Sequence, residues 1–254
     1  MLYSHKFASC RDSIFIYSGS TCKVDILRSD GDYDSRTSMN REDIKIYMLC
    51  RYYIYKAFYI VFSAPLSVKS AKELLDEKIK QSFLISERIY NMSELYKFLS
   101  KLLSQVSDEF LSRLSSEYTA MLIGPQRLPA PPWESVYESE EKILFGNSTL
   151  IVRNKYAKYG LLPTKHPHEA DDHIAFELNF MLYLAGIINQ DERSYKDAIN
   201  DSLEFLDEHL LTWVGKFSSD LEYQNGLYIK KVSYFLTTFL KYDKKFLELA
   251  KDGR

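Results

Sequence analysis

Two short stretches of this chain hold the side chains best suited to chemistry. The first is Gly-Pro-Gln-Arg-Leu-Pro-Ala-Pro-Pro-Trp-Glu-Ser-Val-Tyr, residues 124–137. It carries four of the chain's seven prolines, so it is not regular helix and is already stiff before anything binds to it. Trp133 offers a flat apolar face with one N–H donor, and Glu134 sets a negative charge beside it. That pairing suits an extended peptide with both apolar and basic residues. It equally suits a rigid connector whose Trp133 plugs the core.

The second stretch is His166-Pro-His-Glu-Ala-Asp-Asp-His173. Asp171 or Asp172 at a helix start would satisfy free backbone N–H groups and favour the helix dipole. His173, in the first turn, would pair with either carboxylate or with the first loop. The rival chemistry is a metal-dependent hydrolase using His166, His168, Asp171 and His173, since His-x-His followed by Asp and His supplies metal ligands. Spacing argues against it. The metallo-β-lactamase order is His-x-His-x-Asp-His, and Glu169-Ala170 fills the stretch where Asp-His is required. That order also belongs to a strand-rich chain.

The elements that must position these loops are helical. Gly (9) and Pro (7) are scarce among 254 residues and aromatic residues reach 15%, which favours long helices over many short strands. A 46% hydrophobic content excludes wholesale disorder and suffices for a buried core. The net charge of −2 provides no basic field for a phosphate backbone, so nucleic acid is not an expected partner. Cys10, Cys22 and Cys50 form no C-x-x-C pair, which argues against a zinc ribbon or a disulfide scaffold and fits a reducing, cytoplasmic setting. The most apolar window, 57–64, is too short for a membrane span, so no stable membrane insertion is expected.

Helical spacing begins near Glu42, where Ile46, Leu49, Tyr53, Ala57 and Ile60 make one apolar face and Pro65 ends the helix. A second helix is expected over 70–90, with Leu74, Leu75, Ile79, Phe83 and Leu84 inward. Ser93 and Ser107 are candidate N-caps for two more. Spacing resumes over 149–160. The helix over about 171–185 is apolar nearly all round and is expected at the centre of the domain. Helices over 195–216 and 227–251 complete the chain. Residues 1–38 lack sustained periodicity and are read as a poorly ordered or irregular extension, with an optional hairpin over 13–27. Met39 is a candidate true start, and residues 39–254 form one all-α helical domain.

At the two loops the chain resembles the TorD/DmsD family of redox-enzyme maturation chaperones. Residues 124–137 are similar to the family's Gly-Pro…Ala-Pro-Pro-Trp-Glu-Ser-Val-Tyr loop. Residues 169–181, Glu-Ala-Asp-Asp-His-Ile-Ala-Phe-Glu-Leu-Asn-Phe-Met, resemble its Glu-Pro-Asp-Asp-His…Glu-Leu…Phe-Met motif, with Ala170 where Pro is usual. Residues 205–217 are similar to its late helix, with His209 and Trp213 on one face.

The resemblance implies a single-domain helical bundle of the TorD/DmsD type and a cytoplasmic chaperone without enzymatic turnover. Its partners would be the twin-arginine signal peptide and the apo form of a molybdoenzyme, held until the molybdenum cofactor is inserted and export is released. By motif, client contact would fall on Pro131, Pro132, Trp133, Glu134, Ser135, Tyr137, Asp171, Asp172 and His173. The carboxylates of Glu134, Asp171 and Asp172 would accept the guanidinium forks, and the prolines, Trp133 and Tyr137 would take the apolar part. No tightly bound cofactor is expected. The chain has no Gly-x-x-x-x-Gly-Lys-Ser/Thr, which leaves only weak guanine nucleotide contact or transient molybdopterin contact. The resemblance allows either a monomer or a dimer that exchanges helices, and leaves the identity of the client open.

Overall fold

The computed structural model describes residues 2–3, 41–124, 128–138, 144–163, 169–190 and 195–252. The hairpin expected over 13–27 and the boundary at residues 38 and 39 lie outside the described residues, as do His166 and His168.

The architecture is an all-α bundle. Helix α1 (Arg41–Ser63) and helix α9 (Ile174–Gln190) pack along each other through its middle. As its all-round apolar pattern requires, α9 buries Ile174, Phe176, Leu178, Phe180, Met181 and Leu184 on several sides. The short helices α2 (Val68–Leu74), α3 (Glu77–Ile85), α4 (Glu87–Tyr90), α5 (Ser93–Leu103) and α6 (Asp108–Tyr118) wrap one side. A π-turn, Thr119–Ile123, extends α6 into the proline-rich loop. Helices α7 (Ser135–Glu138) and α8 (Asn147–Lys158) follow that loop. Helix α10 (Tyr195–Phe205), a second π-turn (Leu206–Leu210), α11 (Leu211–Glu222) and α12 (Ile229–Asp252) close the bundle. Leu2–Tyr3 and Leu162–Pro163 form a two-residue antiparallel pairing. No described helix is long and apolar enough to cross a membrane.

Three local expectations are corrected. The helix expected over 70–90 is broken into α2, α3 and α4. The Asp76 side chain accepts the Lys78 N–H at 2.9 Å and restarts the chain as α3, which leaves Leu75 and Leu84 exposed while Leu74, Ile79 and Phe83 stay inside. Ser107 caps α6 through Phe110 N, but α5 starts differently: Ser93 N donates to the Glu87 carboxylate at 2.6 Å. The buried stripe of α1 is also offset from the expected face. Ala57 and Ile60 are buried as expected, whereas Ile46, Leu49 and Tyr53 are half-buried, and the inward set also takes in Ile44, Tyr47, Met48, Ile54, Tyr55, Phe58, Val61 and Phe62.

An inward-facing charge explains that offset. Arg51 lies in the middle of the stripe, fully buried. Its Nε donates to Asp243 of α12 at 2.8 and 3.0 Å, and the hydroxyls of Tyr55 and Tyr90 donate to the same carboxylate at 2.6 and 3.3 Å. A balanced pair with added donors is tolerated where a lone charge is not. The start of α12 is held by a second carboxylate. Glu117 of α6 accepts the N–H groups of Leu227, Tyr228 and Ile229, the free donors of a helix start. Gly226 permits this approach, because a Cβ there would lie 2.7 Å from Glu117 Oε1.

Candidate functional site

The two loops singled out in the sequence meet. Glu134 N donates to Asp172 O at 3.1 Å and Ile174 N to Pro132 O at 2.9 Å, an antiparallel bridge that sets Trp133 opposite His173. Their rings meet edge to face, with centroids 5.6 Å apart, and the Trp133 indole N–H donates to Glu169 at 2.9 Å. The bridge also feeds the chain into α9. His173, not an aspartate, caps that helix: its Nδ1 accepts Ala175 N at 3.1 Å and its carbonyl accepts the N–H of Phe176 and Glu177.

The aspartates are thereby released for a different task. Asp172 accepts Ser135 N at 2.7 Å at the start of α7 and Thr149 Oγ1 at 2.9 Å from α8, with Ser148 Oγ at 3.4 Å. Asp171 accepts the Arg153 guanidinium, and its backbone carbonyl accepts the Tyr156 hydroxyl at 3.1 Å. The expectation that Glu134, Asp171 and Asp172 stand open to incoming guanidinium groups is corrected here. All three are buried and engaged by the chain's own donors. Carboxylates this deep need such donors to stay charged, which is why the loops and α8 close around them.

Beneath the bridge lies a second layer of acids. Glu134 accepts His209 Nδ1 at 2.9 Å, and Glu177 of α9 accepts the Trp213 indole N–H at 3.0 Å. His209 sits in the π-turn and Trp213 follows in α11, so the pair expected on one face does reach one cluster. Trp213 also stacks on Tyr137 at 5.5 Å. Burial pushes the Glu134 carboxyl up, against the opposing pull of His209. Burial, then the neighbouring Glu134 and Asp172, push Glu177 well above its ordinary range. Both shifts favour the protonated form, and the push on Glu177 is the stronger. Glu177 Oε1 and His209 Nε2 are buried without a hydrogen-bond partner among the described residues.

The rest of the expected set divides by depth. Pro132 and Ser135 are buried, whereas Pro131, Trp133, Tyr137 and His173 are half-buried and reachable from outside. Beside them the chain exposes Leu144, Phe145, Leu150 and Ile151. Phe145 is 61% exposed and adopts a left-handed φ of 62°, unusual for a bulky residue. Among the described residues, no three His, Cys, Asp or Glu side chains converge to hold a metal ion. With Asp171 and Asp172 engaged by donors and His173 capping α9, the arrangement is built to fix backbone shape. The sequence reading missed Glu177, Ser148, Thr149 and Arg153 as parts of the site. Glu177 lies inside the second motif and could have been found there. The three α8 residues have no motif and emerge only once α8 is placed.

The family model for the nitrate reductase delta subunit matches residues 90–219, just over half of the chain and the span that contains both loops. The chain is 29% identical over 196 residues to "Chaperone protein TorD" of Aliivibrio salmonicida, covering 72% of this chain and 91% of that one. It is 27% identical over 195 residues to "Chaperone protein TorD" of Aliivibrio fischeri, with the same shares. It is 31% identical over 104 residues to "Tat proofreading chaperone DmsD" of Salmonella typhimurium, covering 41% and 47% of the two chains.

Proposed function

The chain belongs to the nitrate reductase delta subunit family, and from that premise we propose that it is a non-catalytic chaperone for the maturation of a molybdoenzyme. Its relatives named as TorD and DmsD chaperones support this reading. The client is the apo-enzyme with its twin-arginine signal peptide, bound in the cytoplasm before cofactor insertion and export. The metal-dependent hydrolase is the weaker reading, because Asp171 and His173 are both spent on holding the loops.

One observation carries the proposal: the stiff bridge between Trp133 and His173, which presents aromatic and proline surface beside exposed apolar residues and above buried carboxylates. A signal peptide has matching chemistry, with two arginines followed by an apolar run. Pro131, Trp133 and Tyr137 offer the apolar part a preshaped surface that loses little entropy on binding. Glu134, Asp172 and Ser135 hold that surface in place from beneath. Calorimetric titration with a synthetic peptide bearing two adjacent arginines and an apolar segment tests this. Wild type should bind, and Trp133→Ala should bind at least about tenfold more weakly at unchanged helix content, as loss of an aromatic anchor implies. Equal affinities would overturn the assignment.

A further inference from the structure

The acids under the two loops are covered, so a client arginine needs carboxylates elsewhere, and helix α8 has them along one edge. This helix is a fixed part of the core: Val152 and Tyr156 are fully buried, and the Tyr156 ring packs on Phe180 and Phe205 with centroids 5.0 and 6.3 Å apart. Its opposite side faces outward, where Leu150, Ile151, Asn154 and Ala157 are exposed. That side is uncharged. The charged residues of α8 turn to the chain's own carboxylates, Arg153 to Asp171, Lys155 to Glu204 and Glu208, and Lys158 to Asp201. The turn before the helix adds Leu144 and Phe145, both exposed. It lies tightly on the start of α7, since a Cβ on Gly146 would stand 3.1 Å from Ser135 Cβ. Ser135 follows Trp133 by two residues, so the outward side of α8 continues the surface around Trp133.

Along the edge of α8 that carries Lys155 and Lys158 lie the acids of α10 and the second π-turn. Asp201, Glu204 and Glu208 meet these two lysines, three carboxylates against two ammonium groups. Glu204 and Glu208 share Lys155, and their side chains are 47% and 52% exposed. Each gives Lys155 one oxygen, and its other oxygen has no partner among the described residues. A carboxylate has about four acceptor sites, so a guanidinium can join Lys155 there without displacing it and without moving any helix. An uncharged apolar side beside an excess of acid matches a segment in which arginines precede an apolar run. It does not suit an anionic lipid surface, which these acids would repel.

Resting on the chaperone reading above, we propose that the outward side of α8 and its acidic edge dock the client's twin-arginine leader: the arginines meet Glu204 and Glu208, and the apolar run crosses Leu150 and Ile151 towards Phe145 and Trp133. Because Glu204 and Glu208 both reach Lys155 Nζ, they stand side by side, which gives two adjacent arginines one carboxylate each. The core packing of Val152 and Tyr156 keeps this platform rigid, so little order is lost on docking. The left-handed φ of Phe145 costs free energy and holds a bulky ring out in solvent, a strain that a docking surface explains and a stabilising contact does not.

The test titrates the twin-arginine peptide, and a control peptide with both arginines changed to alanine, into the full chain and its variants. Glu204→Gln with Glu208→Gln should bind the arginine peptide roughly threefold to tenfold more weakly than wild type, the range for two partly exposed charged contacts, and the alanine peptide as wild type does. Lys155→Gln should bind the arginine peptide more tightly, because it removes the cation that competes for both acids. Leu150→Asn with Ile151→Asn, at exposed positions, should weaken both peptides about tenfold at unchanged helix content. If wild type binds and Trp133→Ala weakens it, but the acid and α8 variants bind as wild type does, the docking surface is wrong and the chaperone reading stands. If the α8 variant leaves peptide affinity unchanged and converts a dimer to a monomer in light scattering, the surface seats a second copy and the proposal is overturned. If wild type binds neither peptide, the chaperone reading falls and the docking surface with it.

Discussion

Two buried ionic clusters sit in this molecule, and they are built on opposite terms. At one end, Arg51 and Asp243 form a one-to-one pair with two tyrosine hydroxyls on the same carboxylate. At the other, Glu134, Asp171, Asp172 and Glu177 crowd the space below the Trp133–His173 bridge, opposed by Arg153 and His209. The first cluster pairs one charge with one and joins α1 to α12, although Arg51 Nη1 and Nη2 are buried without a hydrogen-bond partner among the described residues. The second has more acid than base, and its members borrow backbone, hydroxyl and indole donors. The first cluster joins helices, and the second fixes the backbone of the two loops.

The largest effect expected from this contrast is at the Arg51–Asp243 pair. Asp243→Ala strands the buried Arg51 and should cost about 3–5 kcal/mol in urea denaturation, while Arg51→Met with Asp243→Leu should recover most of it. A small cost for Asp243→Ala would erase the distinction. In the acidic cluster, His209→Ala removes the ring that hydrogen-bonds Glu134 and should cost about 2 kcal/mol by the same measurement. Thr149→Val, nearly isosteric, deletes one bond to Asp172 and should cost about 1 kcal/mol.

Glu177→Gln should have the smallest effect on stability at acid pH and should change sign above it. Glu177 has a folded pKa raised from its ordinary value of 4.5, so the folded state holds the proton longer than the unfolded chain. Wild type therefore loses stability as pH rises above the ordinary carboxylate range, until the folded pKa is passed. Glutamine still accepts the Trp213 N–H and removes that loss. Thermal melts across that range should show the variant falling less than wild type, since the raised Glu134 remains, and parallel curves would mean that Glu177 contributes nothing to the fall.

The helical class and the central place of α9 were legible because an all-round apolar pattern has one economical solution, burial on every side. Contact between the two loops was one of the pairings that the residue types left open, since His173 could equally have met Asp171 or Asp172. The roles of Asp171 and Asp172 were not. Capping is the commonest use of aspartate before a helix, and only the bridge geometry shows that His173 takes that task. Arg51 was hidden for the same reason that it matters: a charged residue in an apolar stripe reads as an outward position until Asp243, far along the chain, is seen to meet it. The breaks after Leu74 and Ile85 turn on Asp76 and Ser86, residues that periodicity does not register.

On the proposed function, the surface around the Trp133–His173 bridge holds a molybdoenzyme precursor. The most direct test is capture of bound proteins from lysate of the anaerobically grown host by wild type and by Trp133→Ala with His173→Ala, read by mass spectrometry. A molybdoenzyme precursor with its twin-arginine leader intact is expected, retained by wild type and lost from a folded variant. A precursor retained equally by both would place the client elsewhere on the protein, and its absence from both would contradict the claim.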